Sequence, residues 1–375
     1  MKILVVSHYY PPHVGGLELV ALYQAKFLTE KGHSVTVVTS RVSAEEREEM
    51  LEGVEVVRVR ALNLLEKKWG IPFPLFSPRL LLVLWRETKK AEVVHIHDAF
   101  YISSFTAALC ARLQKKPVIL MQHVEMVNHP SALVMLAQKI VYATSGAYVF
   151  KASAKILTLN DRVEQFLLKK GISSSKLVQF VNGVDAELFH PANREQKKKL
   201  RAKLHLAQNK KVVLFVGRFV PKKGFHKLLA IQNDTYQFVF CGGTKPPSAP
   251  KNAVFLGTMP HEDTAQVYQA ANIFVLPSEG EGFPLSVQEA MASGLPVITT
   301  NDIGYKRYGF DINCVCLIDN PTSSSVEKAI DEILNDERRM EAMSRYSREY
   351  ALAHFSWPIV INALEALYER QYRHN

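Results

Sequence analysis

Two glutamates, Glu281 and Glu289, flank a Gly-Phe-Pro turn in the stretch SEGEGFPLSVQEAMASG (278–294), just after the apolar run IFVL at 273–276. The run reads as a strand and EGEGF as the loop. Pro284 is placed at the first helical position, and Gly294 follows the last turn before a new strand resumes. Glu281 therefore lies in the loop and Glu289 on the helix. A helix N-terminus offers unpaired N–H groups and positive partial charge, so the amides of Gly282, Phe283 and Leu285 suit a phosphate; Pro284 donates nothing. Ionised carboxylates only accept hydrogen bonds, and ribose and sugar hydroxyls donate them. Acids on both sides of a phosphate seat thus fit a sugar nucleotide better than a bare phosphate. Ordinary helix-flanking acids give the same spacing.

A second strand-to-helix loop, VGRFVPKKG at 216–224, brings Gly217, Arg218, Lys222 and Lys223 together. Arginine forks onto two phosphate oxygens and lysine adds a compact charge, a pairing suited to a diphosphate leaving group. A solvated basic loop is the alternative. Near the start, PPHVGGLE (11–18) opens a helix with Gly15 and Gly16, whose missing side chains let a ligand approach the backbone. This is not GxGxxG, which disfavours a dinucleotide-dependent dehydrogenase. His95 and His97 alternate onto one face of EVVHIHD, and His123 ends PVILMQH; all are expected as polar groups at the edge of a cleft. Their spacing is not a metal signature, so no metal site is expected.

What positions these loops is an alternation of strand and helix patterns running almost from end to end. KILVVSH, SVTVVTS, VEVVRVR, EVVHIH, PVILMQ and AKILTLN read as strands of a parallel sheet, with a helix from Leu17 to about Glu30 in the first βαβ unit. After the turn NGVD the rhythm restarts with KVVLFVGR, QFVFCGG, AVFLG, NIFVLPS, LPVITT and NCVCLI. The fold class is therefore α/β, two doubly wound Rossmann-like domains with the strand ends, and hence the ligand cleft, between them. The expected bounds are 1–187 and 188–355. The helical tail, broken at Trp357-Pro358, is expected to return to the first domain over 356–375.

Composition narrows the class of function. The chain has 375 residues, 47% hydrophobic and 22% charged, the balance of an ordinary globular protein of two domains. Its formal net charge of +10 comes from 46 Lys and Arg against 36 Asp and Glu, and its lysine pairs are scattered along the chain. Scatter argues against a nucleic-acid stripe and for a general pull toward anions. The four cysteines form no paired framework, which fits a reducing compartment. MKILVVSHYYPP lacks the features of an export signal, so a cytoplasmic location is expected. Residues 131–150 include Gln138, Lys139, Thr144, Ser145 and Gly146, and are not expected to span a bilayer. The stretch 64–90 and the segment 126–150 combine apolar residues with lysines. They are expected either to cover the first sheet or to touch an anionic membrane from the inner face.

Taken in order, PPHVGG, VVHIHD, NGVD, GRFVPKKG, FVLPSEGEGFPLSVQEAMASGLPVI and FSW resemble the retaining glycosyltransferases of family 4, the two-Rossmann-domain GT-B type. The resemblance covers nearly the whole chain. It implies that Glu281 and Glu289 form the family's Glu-x7-Glu pair, Glu281 nearest the donor sugar and Glu289 on ribose. Arg218 and Lys223 match its diphosphate-binding pair, His123 the first-domain histidine near the reacting centre, and Gly16 the glycine facing phosphate or acceptor. The stretch TTNDIGYKRYGFDINCVCLIDN departs from the family's glycine-rich turn, and leaves open how 301–313 line the donor pocket. The implied activity is transfer of a hexose from a UDP- or GDP-linked donor to an acceptor hydroxyl with retention, in cell-envelope polysaccharide or glycolipid synthesis. The cationic side chains would replace a divalent metal, and no cofactor is expected. The acceptor would be a glycan, a lipid-linked sugar or a small molecule. An epimerase of the same architecture and a non-catalytic sugar-nucleotide-binding protein are the alternatives.

Overall fold

The computed structural model describes residues 1–13, 15–126, 131–247, 249–250, 252–280 and 283–373. Glu281 and Gly282 lie outside the described residues. The chain forms two compact units, Met1–Gly183 joined by Pro358–Asn375, and Val184–Trp357.

The first unit holds strands β1 (Lys2–Val6), β2 (Ser34–Arg41), β3 (Glu48–Leu51), β4 (Val54–Leu62), β5 (Leu75–Phe76), β6 (Val93–His97), β7 (Val118–Gln122), β8 (Lys155–Thr158) and β9 (Leu177–Gln179). They pair in the order β3-β4-β2-β1-β6-β7-β8-β9, with β5 also on β4. Pairing is parallel except where β3 and β5 meet β4. The central strands β1, β6 and β7 are buried on both faces, which is why β1 and β7 read as nearly continuous apolar runs, while β6 carries His95 and His97 within its buried run. The same burial corrects the reading of His95 and His97: both are fully buried beneath covering helices, not at a cleft edge. One face packs Leu4, Val6, Val94, Ile96 and Leu120 against Leu84, Ala108, Tyr142 and Phe150 of the helices Arg79–Lys90, Ile102–Leu113, Ala132–Ala143 and Ser145–Ala152.

The run Ala132–Ala152 is 21 residues, long and apolar enough to cross a membrane by length and composition, with a mean hydropathy of 1.3 over an 18-residue window. Only 28% of that window is buried. The run breaks at Thr144, and its second half sends Val149 and Phe150 into the core.

The second unit repeats the winding with β10 (Lys211–Val216), β11 (Tyr236–Cys241), β12 (Ala253–Phe255), β13 (Ile273–Leu276), β14 (Val297–Thr300) and β15 (Val315–Ile318), ordered β12-β11-β10-β13-β14-β15 and parallel throughout. Strand order reverses direction between β1 and β6 in one unit and between β10 and β13 in the other. Loops leaving those strands diverge to opposite sides of the sheet and open a crevice at its carboxyl edge.

The tail forms two helices, Glu337–His354 and Trp357–Arg373. The break falls at Phe355 and Ser356, where the Val184 N–H donates to the Phe355 carbonyl at 2.7 Å. The last helix is fixed to the first unit by Glu365, which accepts from Lys31 and, at 2.9 Å, from His33 Nε2.

Candidate functional site

In the second unit, the loops after β10 and β13 leave the sheet on either side of its switch point and then touch. The Glu279 N–H donates to the Lys222 carbonyl at 2.8 Å. Gly224, at φ +73, lies so close to Pro277 that a Cβ there would run into the Pro277 carbonyl. Only glycine meets both demands. The Lys223 side chain runs back over Gly217, with its Cδ 3.6 Å from where a Gly217 Cβ would sit. Arg218 is exposed, and its side chain has no partner among the described residues. The cationic loop is thus joined to the loop that leads into Glu281 and Gly282.

Beyond that loop, Phe283 is buried and Pro284 is the residue before the helix Leu285–Ala292, one place earlier than its expected position as the first helical residue. No side chain caps this helix. Val287 and Gln288 both donate to the Pro284 carbonyl, leaving the Leu285 and Ser286 amides at the open N-terminus. Glu289, 7% exposed, has both oxygens engaged. His261 Nε2 lies 2.9 Å from Oε1 and the Tyr268 hydroxyl donates to Oε2 at 2.8 Å. Burial alone would lower the His261 pKa, but the hydrogen bond and charge of Glu289 outweigh it and hold the imidazole above its ordinary value.

The stretch 301–313 packs as an aromatic wall. A 3-10 turn, Ile303–Tyr308, starts at Asp302, whose carboxylate accepts from the Gly304 N–H at 2.8 Å. Phe283 sits among Tyr308, Phe355, Tyr305 and Phe310 at ring separations of 4.2, 5.0, 5.6 and 5.7 Å. Tyr346 and Tyr350 of the helix Glu337–His354 bond the backbone at Asp311 and Tyr308. Side-chain packing here supplies the order that a glycine-rich turn obtains from its backbone.

In the first unit, His123 follows β7 and is braced twice. Its N–H donates to Asp98 Oδ1 at 3.0 Å, and its ring Nε2 lies 3.0 Å from His97 Nδ1. Asp98 adopts φ +61, rare for a residue with a side chain. Burial pushes its carboxyl pKa up to about 7 against the pull of backbone donors. Gly15 precedes the helix Gly16–Glu30, and the space above it holds the Glu18 carboxylate, with which a Gly15 side chain would collide. His13 bridges Glu18 at 2.8 Å and Glu66 at 3.1 Å, and stacks on Tyr9. The space over Gly15 is therefore filled from within the chain.

Two family models match consecutive parts of the chain, Glycosyltransferase Family 4 over residues 14–188 and Glycosyl transferases group 1 over residues 196–350. The chain belongs to the family 4 glycosyltransferases. It is 25% identical to a D-inositol 3-phosphate glycosyltransferase of Corynebacterium glutamicum, over 94% of this chain and 91% of that protein. It is 28% identical to a GDP-mannose-dependent alpha-mannosyltransferase of the same species, over 80% of this chain and 72% of that protein. Among solved structures it is similar to Anabaena HepE in complex with UDP and glucose, with a TM-score of 0.79 at 16% identity, covering 99% of this chain and 100% of that one. The architecture of this glycosyltransferase is the two-domain GT-B fold.

Several residues that hold the expected ones in place, in each unit of the glycosyltransferase, carried no sequence signal. His261 and Tyr268 lie on another helix, 28 and 21 positions before Glu289, and only the sheet order brings them to it. Asp98 and Glu66 look like ordinary acids in the sequence. Among the described residues no cluster of three or more His, Cys, Asp or Glu has a metal-holding arrangement.

Proposed function

We propose that this glycosyltransferase moves a hexose from a UDP- or GDP-linked donor to an acceptor hydroxyl with the anomeric configuration kept. As the glycosidic bond breaks, negative charge grows on the departing diphosphate. Arg218, Lys223 and the amides of Gly282, Phe283 and Leu285 meet that charge, which stabilises the transition state more than the ground state. Glu289, held from behind by His261 and Tyr268, accepts ribose hydroxyls. Glu281 lies nearest the donor sugar, and Gly217 and Gly16 let phosphate or acceptor reach the backbone, whereas Gly15 is covered by Glu18. His123 orients the sugar or the acceptor. Cationic side chains do the work a divalent ion would otherwise do. No nucleophile suited to a double displacement is present in the motifs, so attack from the face of the departing phosphate is the favoured route.

The observation that carries this reading is the junction of the two loops, the Glu279 N–H on the Lys222 carbonyl and Gly224 against Pro277. It supports one phosphate seat served by both loops. A thermal-shift screen against UDP, GDP, ADP and their sugars tests it. A ligand at 100 times its Kd adds about 2.7 kcal/mol of apparent stability. A shift with no nucleotide would overturn the proposal. Glu281→Gln should keep the nucleotide shift while turnover falls about 100- to 1000-fold; unchanged kinetics would remove Glu281 from the site. Epimer formed from donor alone, without acceptor, would assign the chain to the epimerases instead.

A peripheral site at the inner face of an anionic membrane belongs to the same proposal. The helix Ala132–Ala143 exposes Leu133, Leu136 and Ile140 at 74, 53 and 54%, beside Lys139. Arg79–Lys90 exposes Leu82 and Trp85 at 71 and 44%, flanked by Arg86 and Lys89. Flotation with anionic vesicles at low salt should carry the protein up and zwitterionic vesicles should not. No flotation with either would end the idea.

A further inference from the structure

Four histidines gather at the carboxyl edge of the first sheet: His8 after β1, His95 and His97 on β6, and His123 after β7. Burial, and then the neighbouring imidazoles, depress the His97 pKa far below its usual value, and burial alone brings His123 to about 3. Both rings are therefore neutral at ordinary pH. Two neutral imidazoles joined through one hydrogen bond share a single proton in it, so the 3.0 Å contact between His97 Nδ1 and His123 Nε2 admits two arrangements.

In the first arrangement His97 Nδ1–H donates. His97 Nε2 is then a bare lone pair, and His123 carries its own proton on Nδ1. In the second, His123 Nε2–H donates and His97 must hold a proton on Nε2. That nitrogen is buried with no partner. The titratable groups facing it do not reach it: His95 Nδ1 is taken by the Tyr368 hydroxyl at 2.8 Å, and His95 Nε2 and His8 Nδ1 are themselves unpartnered. A buried N–H without an acceptor loses its hydration uncompensated, and orphaned donors are rarer in folded proteins than under-satisfied acceptors. The first arrangement is favoured. His123 Nδ1 has no partner among the described residues, and its residue is half-buried rather than fully enclosed as His97 is.

We propose that His97 is a positioning residue that fixes the tautomer of His123, so that His123 offers an N–H at Nδ1. His123 then donates a hydrogen bond to an oxygen of the donor sugar or the departing phosphate, and does not take a proton from the acceptor hydroxyl. This role rests on the glycosyl-transfer reading, whereas the tautomer itself does not.

Long-range 15N–1H spectra of the full chain with labelled histidine read the tautomer directly. The expected pattern for His123 is a protonated, pyrrole-type Nδ1 and an unprotonated, pyridine-type Nε2. The reverse pattern overturns the proposal whether or not the enzyme is active. His97→Phe should abolish the preference and lower kcat about 10- to 100-fold while the donor KM stays within about threefold. His97→Gln, whose amide N–H still donates to His123 Nε2, should recover both the Nδ1–H signature and most of kcat. Equal losses in the two variants, or a loss confined to KM, would assign His97 to packing alone. If no nucleotide binds but the tautomer is as stated, the transfer reading fails and the His97–His123 arrangement stands.

Discussion

Glu289 accepts two hydrogen bonds before any ligand arrives, and that determines what its neighbours are worth. Tyr268→Phe removes a donor from a buried carboxylate at constant shape. It should cost about 1–3 kcal/mol in urea unfolding and weaken nucleotide binding in the same direction. His261 adds a pH term. Its folded pKa is raised, so its contribution is fully present below the ordinary value of about 6.5 and fades as pH climbs through the raised value. The stability gap between wild type and His261→Gln should therefore be widest near pH 6 and close toward pH 9. A gap that widens with pH would mean that His261 is neutral in the folded protein. Gly224→Ala meets both a left-handed φ and the Pro277 carbonyl. It should cost more than the about 1–3 kcal/mol of backbone strain alone, and reduce nucleotide affinity by parting the two loops.

At the scale of elements, the helix Trp357–Arg373 shows how unequal its fastenings are. Glu365 meets Lys31 and His33 at the surface, and Leu364 is fully buried. Glu365→Ala should change stability by no more than about 1 kcal/mol. Leu364→Ala should cost about 2–5 kcal/mol, through lost burial and the cavity left behind. Chemical denaturation of both variants measures the contrast, and similar losses would mean that the ion pairs hold the helix. The long parallel strands could be read in the sequence because each is rich in Val, Ile, Leu or Phe, either as an apolar run or as a period-two alternation, between turn signals. The edge strands β3, β5 and β9 could not. Leu75–Phe76 is a two-residue strand, and Glu48–Leu51 is two acids followed by two apolar residues with none of the four buried, so neither has a period to detect.

For the whole molecule, the histidines folded in their neutral form set the acid limit. His8, His95, His97 and His123 all have folded pKa values pushed down by burial, His95 and His123 to about 3. As pH falls below about 6.5 the unfolded chain takes up protons that the folded chain refuses, so stability drops. Each such histidine contributes up to about 1.4 kcal/mol per pH unit. His13 and His261, whose folded pKa values are raised, are already charged there and add little slope. Urea midpoints between pH 7 and pH 5, where most carboxylates remain ionised, should fall steeply. His95→Phe should flatten that fall, and an unchanged slope would contradict the neutral assignment.

Local chemistry was enough to reveal the parallel α/β class, the loops after β10 and β13, and Glu289 as a helix-borne acid. Apolar runs, glycines and cations at strand ends are properties of adjacent residues. Tertiary structure alone decided that Lys222 hands its carbonyl to Glu279, that His261 and Tyr268 grip Glu289, that Glu18 covers Gly15, and that His95 and His97 are buried. These depend on which strands neighbour one another and which helices cover them. Sheet order is fixed by burial summed over the whole chain, and no window of sequence contains it.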